Sequence, residues 1–237
     1  MELKNMFPNI DGMWVRWSDY RLTEFHGVEY IIPTENATSL SYSCTEHLND
    51  MIVDALNLGR QVAEGQSNGE ACLAFARKYG PMGVVSQTVK NPLLRTGNST
   101  DNTVKNVSPV YNDIFAKGYG EQLERYQDTL CNLYLHFLAI NSGEHRNEQE
   151  QTAEPCGMSY RLTAGANPQL VWQPDNLLAV LKLGYAIAIT DTATPLKVCK
   201  HCGKVYYNPN ARSEFCSVKC RNHYNVIAFR GRKMESN

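Results

Sequence analysis

The pattern of apolar and polar residues predicts helices in four stretches of the chain, two of them from apolar residues at helical spacing. In 45–64 they lie three and four positions apart, as on the buried face of an amphipathic helix that ends near Gly65. A similar row predicts a long helix within 118–140. Segment 67–83 predicts a short helix that begins at a capping box and ends at Gly-Pro-Met-Gly. Segment 177–189 is apolar nearly all round, which predicts a helix buried between other elements.

Short aromatic and β-branched runs predict strands between these helices. "GMWVRW" (12–17) and "GVEYIIP" (27–33) are bounded by Gly and Pro, and we expect them to form a hairpin. "MSYRLTAGANPQLVW" (158–172) predicts a second hairpin that turns at Gly165 to Pro168. The polar stretches 91–109 and 141–157 predict a long loop and a connector. Residues 1–190 are therefore expected to form a helix-dominated α+β domain with small hairpins, of a size that can bury its own core.

Four cysteines near the C-terminus have the spacing of a metal site. Cys199 and Cys202 are separated by two residues, Cys216 and Cys220 by three, and thirteen residues lie between the pairs. Each pair can form a tight turn that supplies two thiolates to one tetrahedral Zn²⁺. Four thiolates close the coordination shell, which predicts one structural zinc and not a catalytic one. The other four cysteines have no regular spacing and are expected to be reduced: Cys44, Cys72, Cys131 and Cys156.

The zinc site predicts a small second domain over 195–233. Gly203 suits the positive φ of a knuckle turn after the first pair, and "KVYYNPNARSEF" (204–215) predicts strand, turn and strand. A helix is expected to start near Cys216. Such a unit has little core, so the metal must supply much of its stability. His201 and His223 could each replace a cysteine ligand, but we expect both to face solvent or nucleic acid because four cysteines suffice.

Charge is divided unevenly along the chain. From Lys197 onward there are nine Lys and Arg against two Asp and Glu, a net charge of +7. The preceding residues carry 14 basic against 22 acidic side chains, a net charge of −8. A basic terminal segment predicts binding to a polyanion; the alternatives are a solvated positive face and docking on an acidic protein surface.

The expected helix combines this charge with groups that can contact nucleic acid. Lys and Arg neutralise phosphates, and Asn can hydrogen-bond base edges. We expect Val226, Ile227 and Phe229 to pack back on the hairpin or the larger domain and anchor the helix. The candidate nucleic-acid-binding residues are Arg212, Lys219, Arg221, Asn222, His223, Arg230, Arg232 and Lys233.

The segment "CKHCGKVYYNPNARSEFCSVKCRNH" (199–223) resembles the CGNR-type zinc finger that ends a group of bacterial proteins regarded as transcriptional regulators. The shared features are Cys-x2-Cys-Gly, an apolar hairpin, an Arg shortly before the third Cys, and Cys-Ser-x-x-Cys entering a helix. Cys-Arg-Asn-His replaces the family's Cys-Gly-Asn-Arg. "FCSVKCR" also resembles small four-cysteine modules that bind proteins, including a gyrase-inhibitor type. The resemblance implies a zinc-containing, DNA-binding regulator, with a protein-binding adaptor as the alternative.

Enzyme motifs are weak in this sequence. "GQSNG" (65–69) matches the Gly-x-Ser-x-Gly nucleophile pattern, but a helix precedes Ser67 where that chemistry needs a strand, and Ser67 is expected to cap a helix. "EHRNE" (144–148) lies in the polar connector, and no Walker-type phosphate loop is present. We therefore expect no catalytic activity.

The cellular setting is predicted from what the sequence lacks. The N-terminus shows no basic start followed by an apolar stretch, and no run of about 18 apolar residues occurs. We expect a cytoplasmic protein that does not contact membranes. The larger domain is expected to bind a ligand or to form a homodimer, and nothing in the sequence chooses between these roles.

Overall fold

A computed structural model of the chain describes residues 10–66, 69–83, 117–142, 157–190, 196–207 and 212–235. Of Ser142 and residues 231–235 only the backbone is described. The predicted cap at Ser67, the loop at 91–109 and most of the connector lie outside these ranges. No described helix has both the length and the apolarity needed to cross a bilayer.

The described elements confirm a mixed α+β fold with five helices and small antiparallel strand pairs. Their order along the chain is β1 (Met13–Trp17), β2 (Tyr20–Phe25), β3 (Val28–Pro33), β4 (Ser39–Ser43), α1 (Leu48–Ala63), α2 (Gly69–Tyr79), β5 (Glu121–Gln122), α3 (Leu123–Ser142), β6 (Met158–Leu162), β7 (Leu170–Pro174), α4 (Leu177–Thr190), β8 (Leu196–Val198), β9 (Val205–Tyr207) and α5 (Val218–Glu235).

The N-terminal strands pair differently from the sequence-based expectation. β1 pairs with β4, and β2 forms the hairpin with β3, so the predicted hairpin between 12–17 and 27–33 is wrong. The β2–β3 turn is made by His26 and Gly27, both with positive φ (51° and 75°), as tight hairpin turns require. β5 adds to the free edge of β3. The second hairpin, β6 with β7, is confirmed.

The helices lie where the apolar periodicity places them. α1 buries one face, including Met51, Ile52 and Leu56, and the chain leaves the helix at Gly65, whose φ is 66°. α1 packs against α3, and α2 contacts both of them. α4 is enclosed on nearly every side, as expected: among its residues only Ala186 and Thr190 are exposed.

A buried carboxylate joins the chain after α2 to β5. The side chain of Glu121 is only 1% exposed and accepts hydrogen bonds from the backbone N–H groups of Met82 (3.0 Å) and Gly83, and from the Tyr119 hydroxyl (2.8 Å). The carboxylate thus accepts hydrogen bonds from two backbone N–H groups that follow α2 and lie outside any helix. A buried N–H without an acceptor costs free energy, so this contact fixes the path of residues 80–83.

Glu121→Ala should lower the free energy of unfolding by at least about 2 kcal/mol, because each buried amide left unpaired costs about 1–3 kcal/mol. Glu121→Gln keeps one acceptor oxygen and should lose less. Urea unfolding followed by circular dichroism measures both. Equal stability of Glu121→Ala and wild type would show that these amides find water instead.

The chain divides into two compact units, Glu2–Gly184 and Tyr185–Asn237. The boundary falls inside α4. The larger unit contains β1 to β7 and α1 to α3. The thiols of Cys44 and Cys72 are buried in it, and the thiol of Cys131 is half-buried. Cys156 lies outside the described residues.

Candidate metal centre

The first cysteine pair is held by a short hairpin. β8 and β9 pair antiparallel with Val198 opposite Val205, and the chain between them forms a knuckle. The Cys199 N–H donates to the Lys204 carbonyl, and the Gly203 N–H donates to the Cys199 carbonyl, both at 2.9 Å. Gly203 has a φ of 69°, which a side chain would strain, so the glycine is required by the turn.

The second pair is placed by the start of α5. Cys216 lies in the bend before the helix, and Cys220 lies in its first turn. Between them, the Ser217 hydroxyl accepts a hydrogen bond from the Cys220 N–H at 3.2 Å, which is the contact of an N-cap residue. The cap therefore fixes where the helix begins and with it the direction of the Cys220 side chain.

The four sulfur atoms converge on one point. The Sγ atoms of Cys199, Cys202, Cys216 and Cys220 all lie within 4.8 Å of one another. Cys202 Sγ is 3.7 Å from Cys216 Sγ, and Cys216 Sγ is 3.5 Å from Cys220 Sγ. This group could hold a metal ion, so the ligand set predicted from the spacing is brought together.

The electrostatics of the group favour a cation. Burial opposes ionisation of Cys199, but the backbone N–H groups of Cys216, Cys202 and His201 together lower its pKa to about 6. Burial, together with the neighbouring thiols, raises the pKa of Cys216 to about 12. Once one thiol of the group has ionised, ionisation of a second is unfavourable, because the two thiolates repel each other. A divalent cation at the centre removes that repulsion and stabilises all four thiolates.

Contacts outside the sulfur group fasten the second pair to the knuckle. The Lys200 N–H donates to the Glu214 carbonyl at 3.0 Å, and the Lys200 ammonium lies 2.6 Å from the Glu214 carboxylate. The Tyr206 hydroxyl donates to the Ser213 carbonyl at 3.2 Å. The ion pair is exposed and contributes little to stability, but these contacts together set the position of the loop that carries Cys216.

The hairpin of this unit is not the predicted one. "KVYY" does contain a strand, β9, but its partner is β8 and not 211–215. Residues 212–217 form turns and bends, and the Asn-Pro-Asn turn lies outside the described residues. The carbonyls of Ser213 and Glu214 accept hydrogen bonds from the Tyr206 hydroxyl and the Lys200 N–H, so this segment is held by contacts other than strand pairing with β9.

Two aromatic contacts connect α5 to the residues before it, one with the knuckle and one with the loop that carries Cys216. The rings of His201 and His223 lie 5.5 Å apart, edge to face, and those of Phe215 and Tyr224 lie 5.2 Å apart. The metal-ligand group contains cysteines alone, and neither histidine is part of it. His223 therefore contacts the first pair's turn, a position that the sequence did not predict.

The predicted nucleic-acid-binding side chains lie along and before α5. The described ones are exposed: Arg212, Lys219, Arg221, Asn222, His223 and Arg230. Arg232 and Lys233 lie on the last turns of the helix backbone, and their side chains are outside the description. The predicted apolar anchor is wrong, because Val226, Ile227 and Phe229 are 47%, 61% and 64% exposed.

Comparison with known proteins adds no relative: no family model, no curated protein and no solved structure matches this chain. The resemblance to the CGNR-type finger therefore stays a prediction.

Proposed function

We propose that this chain is a zinc-dependent DNA-binding protein in which a four-cysteine site holds α5 against duplex DNA. The observation that supports it most is a set of exposed cations on a helix that starts within the metal site. The resemblance to the CGNR-type finger adds the expectation of a bacterial transcriptional regulator. The larger unit would then bind an effector or a second copy of the chain.

Zinc is the proposed metal. A tetrahedron with Zn–S bonds of about 2.3 Å has edges of about 3.8 Å, and two of the sulfur separations, 3.5 and 3.7 Å, are close to that value. Thiolates select soft or borderline metals, and a set of four is typical of structural zinc. When bound, the ion would fix the knuckle and the first turn of α5 as one body. Four sulfurs leave no open position, so the site is structural in this account.

The cations of α5 are available to a ligand. Within the described residues, Lys219, Arg221 and Arg230 form no ion pair, and all three are exposed. Glu214, the acidic side chain that most closely precedes α5 in the sequence, is already paired with Lys200. Lys and Arg that neutralise phosphates release counterions, which is the main source of affinity for DNA.

A protein-binding adaptor is the second candidate function. The exposed apolar side chains of α5, Val218, Ile227 and Phe229, favour it, since exposed apolar groups often mark protein interfaces. Two of them, Val218 and Phe229, lie on one side of the helix with cations on both flanks, and this distribution favours DNA instead.

Binding to a random-sequence duplex should weaken steeply as salt rises. The slope of log Kobs against log salt should lose about one unit for each phosphate contact removed, hence about three for the triple variant Lys219/Arg221/Arg230→Gln. The matched control Arg21/Arg125/Arg161→Gln removes the same charge from exposed positions of the larger unit and should keep the wild-type slope.

Fluorescence anisotropy at several salt concentrations measures these slopes. A triple variant whose slope equals that of wild type would place the nucleic-acid surface elsewhere. Negligible wild-type binding even at low salt would favour the adaptor.

A further inference from the structure

One side of α5 carries amides and apolar side chains in a single row. Val218, Asn222, Asn225 and Phe229 follow one another at intervals of four, three and four residues, which places them on the same side of the helix. Val218 and Phe229 are each 64% exposed, and both asparagines are exposed. These four residues are called the outer row.

The opposite side of the helix is occupied by the metal site. Cys220 belongs to the sulfur group, His223 contacts His201, and Tyr224 contacts Phe215. These residues lie half a turn of helix away from the outer row. The row therefore points away from the knuckle, where a ligand can reach it.

Cations flank the outer row on both sides. Lys219 and Arg230, eleven residues apart, share one flank, and Arg221 lies on the other. A second copy of the chain that paired through the same row would bring these cations together, which is unfavourable. The flanks are complementary to two chains of negative charge with a gap between them.

A DNA major groove has that form. Its width of about 12 Å admits a helix, with a phosphate chain on either side. The Asn amide can donate to N7 and accept from N6 of adenine, and an apolar side chain can contact the methyl group of thymine. Asn is also unfavourable in the interior of a helix, so helix stability does not explain two exposed asparagines in one row.

We propose that the outer row recognises A·T base pairs in the major groove, with Asn222 and Asn225 on adenine edges and Val218 and Phe229 on thymine methyl groups. The proposal rests on the proposed function. It modifies the sequence-based expectation, which included Asn222 and His223 among the nucleic-acid-binding residues, because the His223 ring contacts His201 in the knuckle and Asn225 lies in the row.

Selection from a randomised duplex library by the zinc-loaded full chain should enrich sites containing A·T pairs. Asn222→Ala and Asn225→Ala should each weaken binding to the selected duplex by about 5- to 150-fold and change binding to a scrambled duplex little. Ile227→Ala is the matched control for Phe229→Ala. Ile227 is comparably exposed, at 61%, and lies on the side of Cys220, so its loss should leave both affinities unchanged.

Modified bases test the contacts atom by atom. Replacing the relevant adenine with 7-deazaadenine removes N7 and should weaken wild type but not the Asn variant that has lost the contact. Replacing thymine with uracil removes the methyl group and should weaken wild type but not Phe229→Ala or Val218→Ala.

The outcomes separate this proposal from the proposed function. Steep salt-dependent binding without any enriched sequence, or Asn variants that lose selected and scrambled duplexes equally, would overturn the outer row while leaving DNA binding intact. Negligible binding of wild type to every duplex would overturn both. Binding to an acidic polypeptide in place of DNA would assign the row to a protein partner.

Discussion

Cys216→Ala should unfold the knuckle and α5 while leaving α1, α2 and α3 folded. In the described residues from 196 to 230, only Leu196, Cys199 and Val205 are buried, a core too small to hold the segment together. Structural zinc in comparable small units contributes about 10–16 kcal/mol of apparent binding free energy, so loss of one ligand removes the main source of stability. The larger unit buries its own apolar faces.

Hydrogen exchange read by mass spectrometry can follow both units in one experiment. Peptides from 196–230 should exchange fully in Cys216→Ala, and peptides from 48–63 should keep their protection. Cys131→Ala, which removes a half-buried thiol from α3, is the control and should still bind one zinc per chain by elemental analysis. Unchanged protection of 196–230 in Cys216→Ala would show that the site is not needed for folding.

Gly59→Ala should be among the most destabilising single changes in the larger unit. A Cβ atom there would lie 2.0 Å from the Leu130 carbonyl oxygen and 2.9 Å from Tyr134 Cβ, so α1 and α3 are in contact through the backbone. Overpacking a core costs about 1–3 kcal/mol and sometimes more, and a helix backbone relaxes less readily than a side chain. We expect a loss at or above the top of that range, although Ala is the better helix former.

Gly184→Ala is the matched comparison. Its Cβ would meet Leu48 side-chain atoms at 2.6–2.8 Å, and these can rotate away in part, so the loss should be smaller. Urea denaturation of both variants and wild type gives the two changes in unfolding free energy. Wild-type stability of Gly59→Ala would contradict a backbone contact between α1 and α3.

α1 and α3 were predictable in this chain because each carries an apolar row that its own residues define. β2 and β4 were not, because polar residues interrupt the apolar ones in both "YRLTEF" and "SLSYS", and neither segment contains an apolar run. The pairing of these strands was not predictable from the sequence either. β1 pairs with a strand that follows it by more than twenty residues, and the pairing of such distant strands depends on tertiary contacts that local sequence patterns do not contain.

The metal site shows the same division. Cysteine spacing was sufficient to predict the ligands, since two turns that each supply two thiolates can meet around one ion. It did not predict that α5 lacks an apolar anchor. Helical spacing places Phe229 on the side of the helix opposite Cys220, but the sequence does not show whether that side is covered, and the structure shows that it is exposed. The outer row follows from that finding.

The central claim is that zinc holds the helix that binds DNA, and one titration tests it directly. The full chain is bound to a labelled random-sequence duplex at low salt, the metal is removed with a chelator under reducing conditions, and one equivalent of Zn²⁺ is then added back after removal of the chelator. Binding to the duplex should be lost with the metal and return at one zinc per chain. Equal affinity for the duplex with and without zinc would contradict a role of zinc in holding the helix.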